Sequence, residues 1–208
     1  MEVQYRHKQF QQHIQQQTKL GVFPFINSTE VGFGAIDIDD YSVNHTEIID
    51  KLKLINTECK INSIDKNIDS LNLKSLKECS IVVDATDDWL TSKLLNEYCL
   101  KNSINFLYSS AVRHDLQIIL FNNSKTTNHL CLNCIFPNKD DVDLPRCTTV
   151  GISGISAGLA GLITAQKIIN FSLNLKDETN ILTISDGKKL SIDNIIIKSK
   201  HDCYLNSI

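Results

Sequence analysis

The chain is sparing with several kinds of residue. Three prolines and eight glycines in 208 residues are too few for a collagen-like, low-complexity or disordered protein. Three arginines (Arg6, Arg113 and Arg146) stand against eighteen lysines, and the formal net charge is −3. Without a basic excess the electrostatic footprint of a nucleic-acid binder is missing, so nucleic acid is not an expected partner. No apolar run of membrane-spanning length occurs either. The most apolar stretch, residues 151–170, is interrupted by Ser153, Ser156, Thr164, Gln166 and Lys167 and reads as a buried helix, so no membrane partner is expected. The opening MEVQYRHKQFQQHIQQQ lacks the apolar centre of a secretory leader, which makes the cytoplasm the expected location.

What is present is an ordinary globular composition, 42% hydrophobic and 22% charged, long enough to bury a core without disulfides. Seven cysteines, an odd number, favour thiols, a metal site or a nucleophile over a disulfide framework in a reducing compartment. Neither an internal repeat nor a linker divides the chain, so one domain over residues 1–208 is expected.

The pattern from Gly34 onward alternates. GAIDID is strand-like, residues 46–56 carry Ile48, Ile49, Leu52 and Ile55 at helical spacing, and CKINSI is strand-like again. SIVVDAT then reads as a buried strand, WLTSKLLNEYCLKN as an amphipathic helix and INFLYSSA as the next strand. This βαβ rhythm predicts an α/β, Rossmann-like domain in which residues 35–39 and 81–85 form neighbouring parallel strands. Beyond Ala111 the rhythm changes. DLQIILFNN and HLCLNCIF look like antiparallel strands, and TNILTIS and KLSIDNIIIK pair around SDGKK as a hairpin, so the parallel part of a mixed sheet is followed by antiparallel strands.

Strand ends in such sheets are where ligands bind. Asp37, Asp39 and Asp40 in IDIDD, and Asp84, Asp87 and Asp88 in VVDATDD, therefore fall where a nucleotide would sit. One acidic end could accept ribose hydroxyls while the other holds Mg²⁺ against a triphosphate. The alternative is that these carboxylates cap strands and helices, Asp88 in particular. Cys131 and Cys134 form a CxxC, half of a zinc site that Cys203, with His201 or Asp202, could complete; the alternative is two incidental thiols. Cys147 lies beside Arg146 and just before the small-residue helix, a setting that favours the thiolate of a nucleophile, though an incidental loop cysteine fits equally. Gly154, Gly158 and Gly161 offer a smooth face, for packing within the chain or against a second copy.

Four stretches occur in a telling order: VVDATDDWLTSKLLNEYC, SSAVRHDLQIILF, CLNCIF and RCTTVGISGISAGLAGLITAQKII. Together they resemble the ThiF/HesA/MoeB family, the ubiquitin-activating-enzyme-like adenylyltransferases. The resemblance runs from about Val31 to Cys203, with residues 1–30 as a divergent N-terminal segment. It implies use of ATP and Mg²⁺ to adenylate a carboxylate: the C-terminus of a ubiquitin-like sulfur carrier, a peptide or a small carboxylic acid. The acyl adenylate then passes to sulfur or to another acyl acceptor in cofactor or natural-product biosynthesis. By the same resemblance Asp87 matches the metal-binding aspartate, Asp37 the ribose-binding aspartate with Asp39 and Asp88 beside the nucleotide, Arg113 the hairpin arginine and Cys147 the crossover-loop cysteine. Cys131, Cys134 and Cys203 match zinc ligands, Lys8 stands for an N-terminal arginine that crosses the dimer, and a homodimer is implied.

Two departures from the family pattern stand out. TKLGVFPFINSTEVGFGAIDID leaves too little room for the strand, Gly-rich turn and helix that cradle phosphates in the family. YSVNHTE lacks the arginine of the following loop. They keep open a second reading, a degenerate member that binds a peptide or pairs with an active homologue.

Overall fold

The run Ile81–Asp84 is apolar up to its last residue and buried at every position, as expected of a strand covered on both faces. The computed structural model describes residues 23–27, 30–36, 50, 53–54, 57, 60–64, 68, 73–86, 88–124, 130–137, 150–175 and 179–198. In it β1 (Phe23–Asn27), β2 (Glu30–Ile36) and β3 (Lys60–Ile64) form a three-stranded sheet in that order. A five-stranded sheet follows, with β4 (Ile81–Asp84), β5 (Asn105–Val112), β6 (Asp115–Phe121), β7 (Ile181–Asp186) and β8 (Ser191–Ile196) in sequential order. The described α-helices are α1 (Trp89–Lys101), the short α2 (Leu132–Ile135) and α3 (Gly154–Ser172), and a 3-10 turn spans Leu73–Leu76.

β4 and β5 are parallel, and every later neighbour in the five-stranded sheet is antiparallel, so the expected mixed α/β sheet is present. A parallel pair needs a crossover, which α1 supplies. Its buried residues Trp89, Ser92, Leu95, Asn96 and Cys99 recur at three- and four-residue steps and make one stripe. The helix ends where Ser103 takes a left-handed φ of 56° and Ile104 N–H returns to the Cys99 carbonyl at 2.8 Å.

Alternation along β4, β5 and β6 sorts their side chains into two cores. Val82, Phe106, Tyr108, Ile119 and Phe121 pack with Trp89, Leu95 and Cys99 of α1. Ile81, Val83, Leu107, Ile118 and Leu120 pack with Ala160 and Ile168 of α3. The sheet is thus sandwiched between helices, and α3, read from the sequence as a buried helix, is buried on the face it turns to the sheet and exposed at Ile155 and Leu162. No described helix is long and apolar enough to cross a membrane.

Two expectations need correction. HLCLNCIF is not a strand: Leu130, Cys131 and Leu132 are buried consecutively, and the chain coils into α2 with Phe136 N–H on the Leu132 carbonyl at 2.8 Å. The strand read at GAIDID instead spans Glu30–Ile36 and is not a neighbour of β4. The reason is edge occupancy: β1 pairs antiparallel with one edge of β2 and β3 pairs parallel with the other, so that among the described residues β4 pairs with β5 alone.

The two hairpin tips of the second sheet meet. The β5–β6 turn is Arg113-His114, and Gly187 N–H from the β7–β8 turn donates to the His114 carbonyl at 2.8 Å. A Cβ at Gly187 would clash with that same carbonyl oxygen, a backbone atom that cannot swing aside. Gly187→Ala is therefore expected to cost about 1–3 kcal/mol in urea unfolding, as overpacking does.

Candidate active site

The turn from β4 into α1 is built from hydroxyls and carboxylates. Asp84 ends the strand fully buried, and its Oδ1 accepts the Thr86 N–H at 3.0 Å. Its Oδ2 is buried without a hydrogen-bond partner. Thr86 Oγ1 and Ser92 Oγ both donate to the Asp88 carbonyl, at 3.3 and 3.1 Å. The Asp88 Oδ2 accepts from Thr91 N–H at 2.9 Å and Thr91 Oγ1 at 2.6 Å, which caps α1 and satisfies one of its orphan donors. Asp88 thus performs the capping task that was its alternative reading.

Burial pushes the Asp84 carboxyl up to about 6 from 3.8. The Thr86 N–H on Oδ1 and the nearby dipoles of the Ser92 and Thr86 hydroxyls pull the other way, and the Asp88 charge adds a smaller upward push. Because the folded value lies above the unfolded one, the charged form costs stability above about pH 6, and that cost vanishes below the unfolded value. Asp84→Asn is expected to be more stable than the native chain by about 2 kcal/mol at pH 7.5, an advantage gone by pH 4 in urea unfolding.

β4 and β5 are in parallel register, Asp84 opposite Tyr108, so their carboxyl ends point the same way. β5 then continues to Val112, which sets the Arg113 backbone about 16 Å further along at 3.3 Å per residue. Arg113 takes a left-handed φ of 55°, and its side chain is exposed. Its N–H donates to the Gly151 carbonyl at 3.0 Å and its carbonyl accepts the Ser153 N–H at 2.6 Å, so the hairpin tip anchors the entry to α3. That entry lies a few residues after Cys147 in sequence.

Cys131 and Cys134 are brought together, their sulfurs 3.6 Å apart and not joined by a disulfide. Two thiolates on one tetrahedral zinc at about 2.3 Å each would sit about 3.8 Å apart, so this pair fits half of such a site. Among the described residues no group of three or more His, Cys, Asp or Glu side chains lies close enough to hold a metal. Lys8, Asp37, Asp39, Asp87, Cys147 and Cys203 lie outside the described residues. Asp84, read from the sequence only as one of three carboxylates at the strand end, is fully buried. Its signal was its place at the end of the apolar run IVVD.

The model of the ThiF family matches residues 36–205. The chain belongs to the ThiF family. Among relatives of this ThiF-family chain is the adenylyltransferase and sulfurtransferase MOCS3 of Dictyostelium discoideum, 28% identical over 150 residues, covering 70% of this chain and 35% of that protein. Another is the SAMP-activating enzyme E1 of Haloferax volcanii, 24% identical over 152 residues, covering 72% of this chain and 55% of that protein. The solved structure of E. coli MccB with ATP superposes with a TM-score of 0.63 at 19% identity, covering 82% of this chain and 52% of MccB. The ThiF-family chain thus spans about a third to a half of the length of the relatives it matches.

Proposed function

We propose that this ThiF-family chain is an ATP-dependent adenylyltransferase that activates a carboxylate as its acyl adenylate. One observation carries the reading: the family match over residues 36–205 includes DATDD, whose described residues form the hydroxyl- and carboxylate-lined turn at the carboxyl end of a parallel strand pair. A carboxylate oxygen of the substrate attacks the α-phosphorus of ATP, the bond to the bridging oxygen breaks, and pyrophosphate leaves with that electron pair. The chemistry needs positioning and charge offset more than a protein nucleophile. Asp87 is the proposed ligand for Mg²⁺, a cation that takes hard carboxylate oxygens and supplies charge neutralisation of the triphosphate. Asp37, with Asp39 beside it, is the proposed acceptor for the ribose hydroxyls, and Arg113 and Cys147 face the later steps of acyl transfer.

The substrate class we infer is a carboxyl terminus, on a ubiquitin-like sulfur carrier or a peptide, with a small carboxylic acid as the further candidate. The names of the Dictyostelium and Haloferax relatives and the MccB structures solved with MccA support this range. A zinc held by Cys131, Cys134 and Cys203 is consistent with the 3.6 Å sulfur spacing. A homodimer is supported by α3, which leaves Ile155 and Leu162 63% and 72% exposed.

One observation favours the second reading, a degenerate member that binds a partner without turning over ATP. β1 and β2 form a hairpin with only Ser28 and Thr29 between them, so no helix separates these strands. Carboxylate-dependent ATP–pyrophosphate exchange across a panel of carrier tails, peptides and small acids tests the two. Exchange with any acceptor supports the enzyme. Failure of ATP with Mg²⁺ to bind in calorimetry, alone and with acceptors, supports the binding partner.

A further inference from the structure

Asp84 is the only fully buried carboxylate among the described residues, and it is badly placed for stability. One of its oxygens has no partner, and the other is spent on a backbone N–H two residues away rather than on a cation. A buried polar atom left unpaired is destabilising, and an apolar residue at the end of IVVD would avoid that cost. Local rules broken this way without a packing gain mark functional or strained sites.

What Asp84 holds is the turn. Its Oδ1 fixes the amide of Thr86, the Thr86 hydroxyl donates to the Asp88 carbonyl, and Ser92 from the first turn of α1 donates to that same carbonyl. Thr86 and Ser92 hydroxyls are themselves 3.5 Å apart. The residues on either side of position 87 are therefore tied to one buried anchor and to the helix start. A metal ligand is effective when its orientation is fixed by such supporting bonds, and loss of the support typically costs 10–100-fold in affinity.

We propose that Asp84 is a positioning residue, whose Oδ1 sets the strand-to-helix turn that carries Asp87 so that Mg²⁺-bound ATP is recognised. The proposal rests on the adenylyltransferase reading above and adds to it a residue that acts through the backbone. It acts as a hydrogen-bond acceptor, so charge is dispensable and the carbonyl oxygen of an amide serves in its place.

The test is calorimetric titration of ATP into the full chain, with excess Mg²⁺ and with EDTA, for the native chain and for Asp84→Asn and Asp84→Ala. Asn keeps the acceptor for Thr86 and is expected to hold the Mg²⁺-dependent affinity within about twofold, whereas Ala weakens it about tenfold. Both leave the affinity in EDTA unchanged, a split that general destabilisation would not produce. Should Asp84→Ala fail to fold, Thr86→Val removes the hydroxyl bond to the Asp88 carbonyl with little change of shape and is expected to lower the Mg²⁺-dependent affinity about threefold. Equal losses in Asn and Ala overturn the proposal, since charge would then be what matters. Unchanged affinity in Ala, or in Thr86→Val where Ala does not fold, overturns it as well. A native chain without Mg²⁺-dependent ATP binding overturns the nucleotide reading and the proposal with it, an outcome distinct from native binding with insensitive variants.

Discussion

Asp87→Ala is expected to bring carboxylate-dependent ATP–pyrophosphate exchange below about one-thousandth of the native rate, because the charge of the triphosphate must be offset where the carboxylate attacks. Without the ligand, the carboxylate and the triphosphate approach each other as two anions with their charges unscreened. The fold should not suffer. The cap of α1 belongs to Asp88, whose Oδ2 takes both the amide and the hydroxyl of Thr91, and the anchor of the turn belongs to Asp84. With both tasks held by Asp88 and Asp84, the unfolding free energy from urea titration should stay within about 0.5 kcal/mol of native. Exchange and unfolding measured on one preparation separate the two effects. Exchange above about a tenth of native would move the Mg²⁺ role to another carboxylate.

The parts of the fold legible in the sequence are those where one physical signal acts alone. Ile81–Asp84 is a continuous apolar run ended by a carboxylate, and Asp88 three residues before Thr91 is an N-cap in spacing as well as in type. The β7–β8 hairpin follows from Asp186, whose Oδ1 takes the amides of Lys188 and Lys189 at 3.0 and 3.2 Å, a turn written into SDGKK. HLCLNCIF misled because its alternation imitates a strand, while three successive residues are in fact buried and no ladder forms. The partners of β2 were illegible for a different reason. Period-two patterning says which residues share a face, not which strand lies at each edge, and FPFIN took an edge that the βαβ rhythm reserved for β4.

At the site, Asp88 as a cap is a local property and could be read. Asp84 was legible only as the end of the apolar run IVVD; the extent of its burial was not, because it depends on α1 and the rest of the sheet closing over the strand end. Desolvation that lifts its carboxyl to about 6 is a consequence of packing that composition does not contain. Cys131 and Cys134 were legible as a pair because an i, i+3 spacing at the start of a helical turn brings two side chains together whatever surrounds them.

Phe106→Ala is expected to remove about 3–5 kcal/mol of stability in urea unfolding, a large share of the total that a domain of this size holds. Phe106 is fully buried on β5 and stacks on Phe121 of β6 at 6.0 Å with 14° between ring planes. It also sits in the cluster that joins α1 to the sheet through Leu95 and Cys99, so the void would open between layers that each carry part of the site. A ring this enclosed cannot be replaced by collapse of one neighbour, because Leu95, Cys99, Ile119 and Phe121 are all held by their own elements. Phe106→Leu keeps most of the volume and is expected to lose less than about 2 kcal/mol. Neither variant touches the hydroxyl and carboxylate bonds of the 84–92 turn, so under conditions where each remains folded its affinity for Mg²⁺-bound ATP should stay within about twofold of native. A loss below about 1 kcal/mol in Phe106→Ala would mean that the α1-side core tolerates the void, and that α1 is held against β4 chiefly by the polar bonds at its first turn.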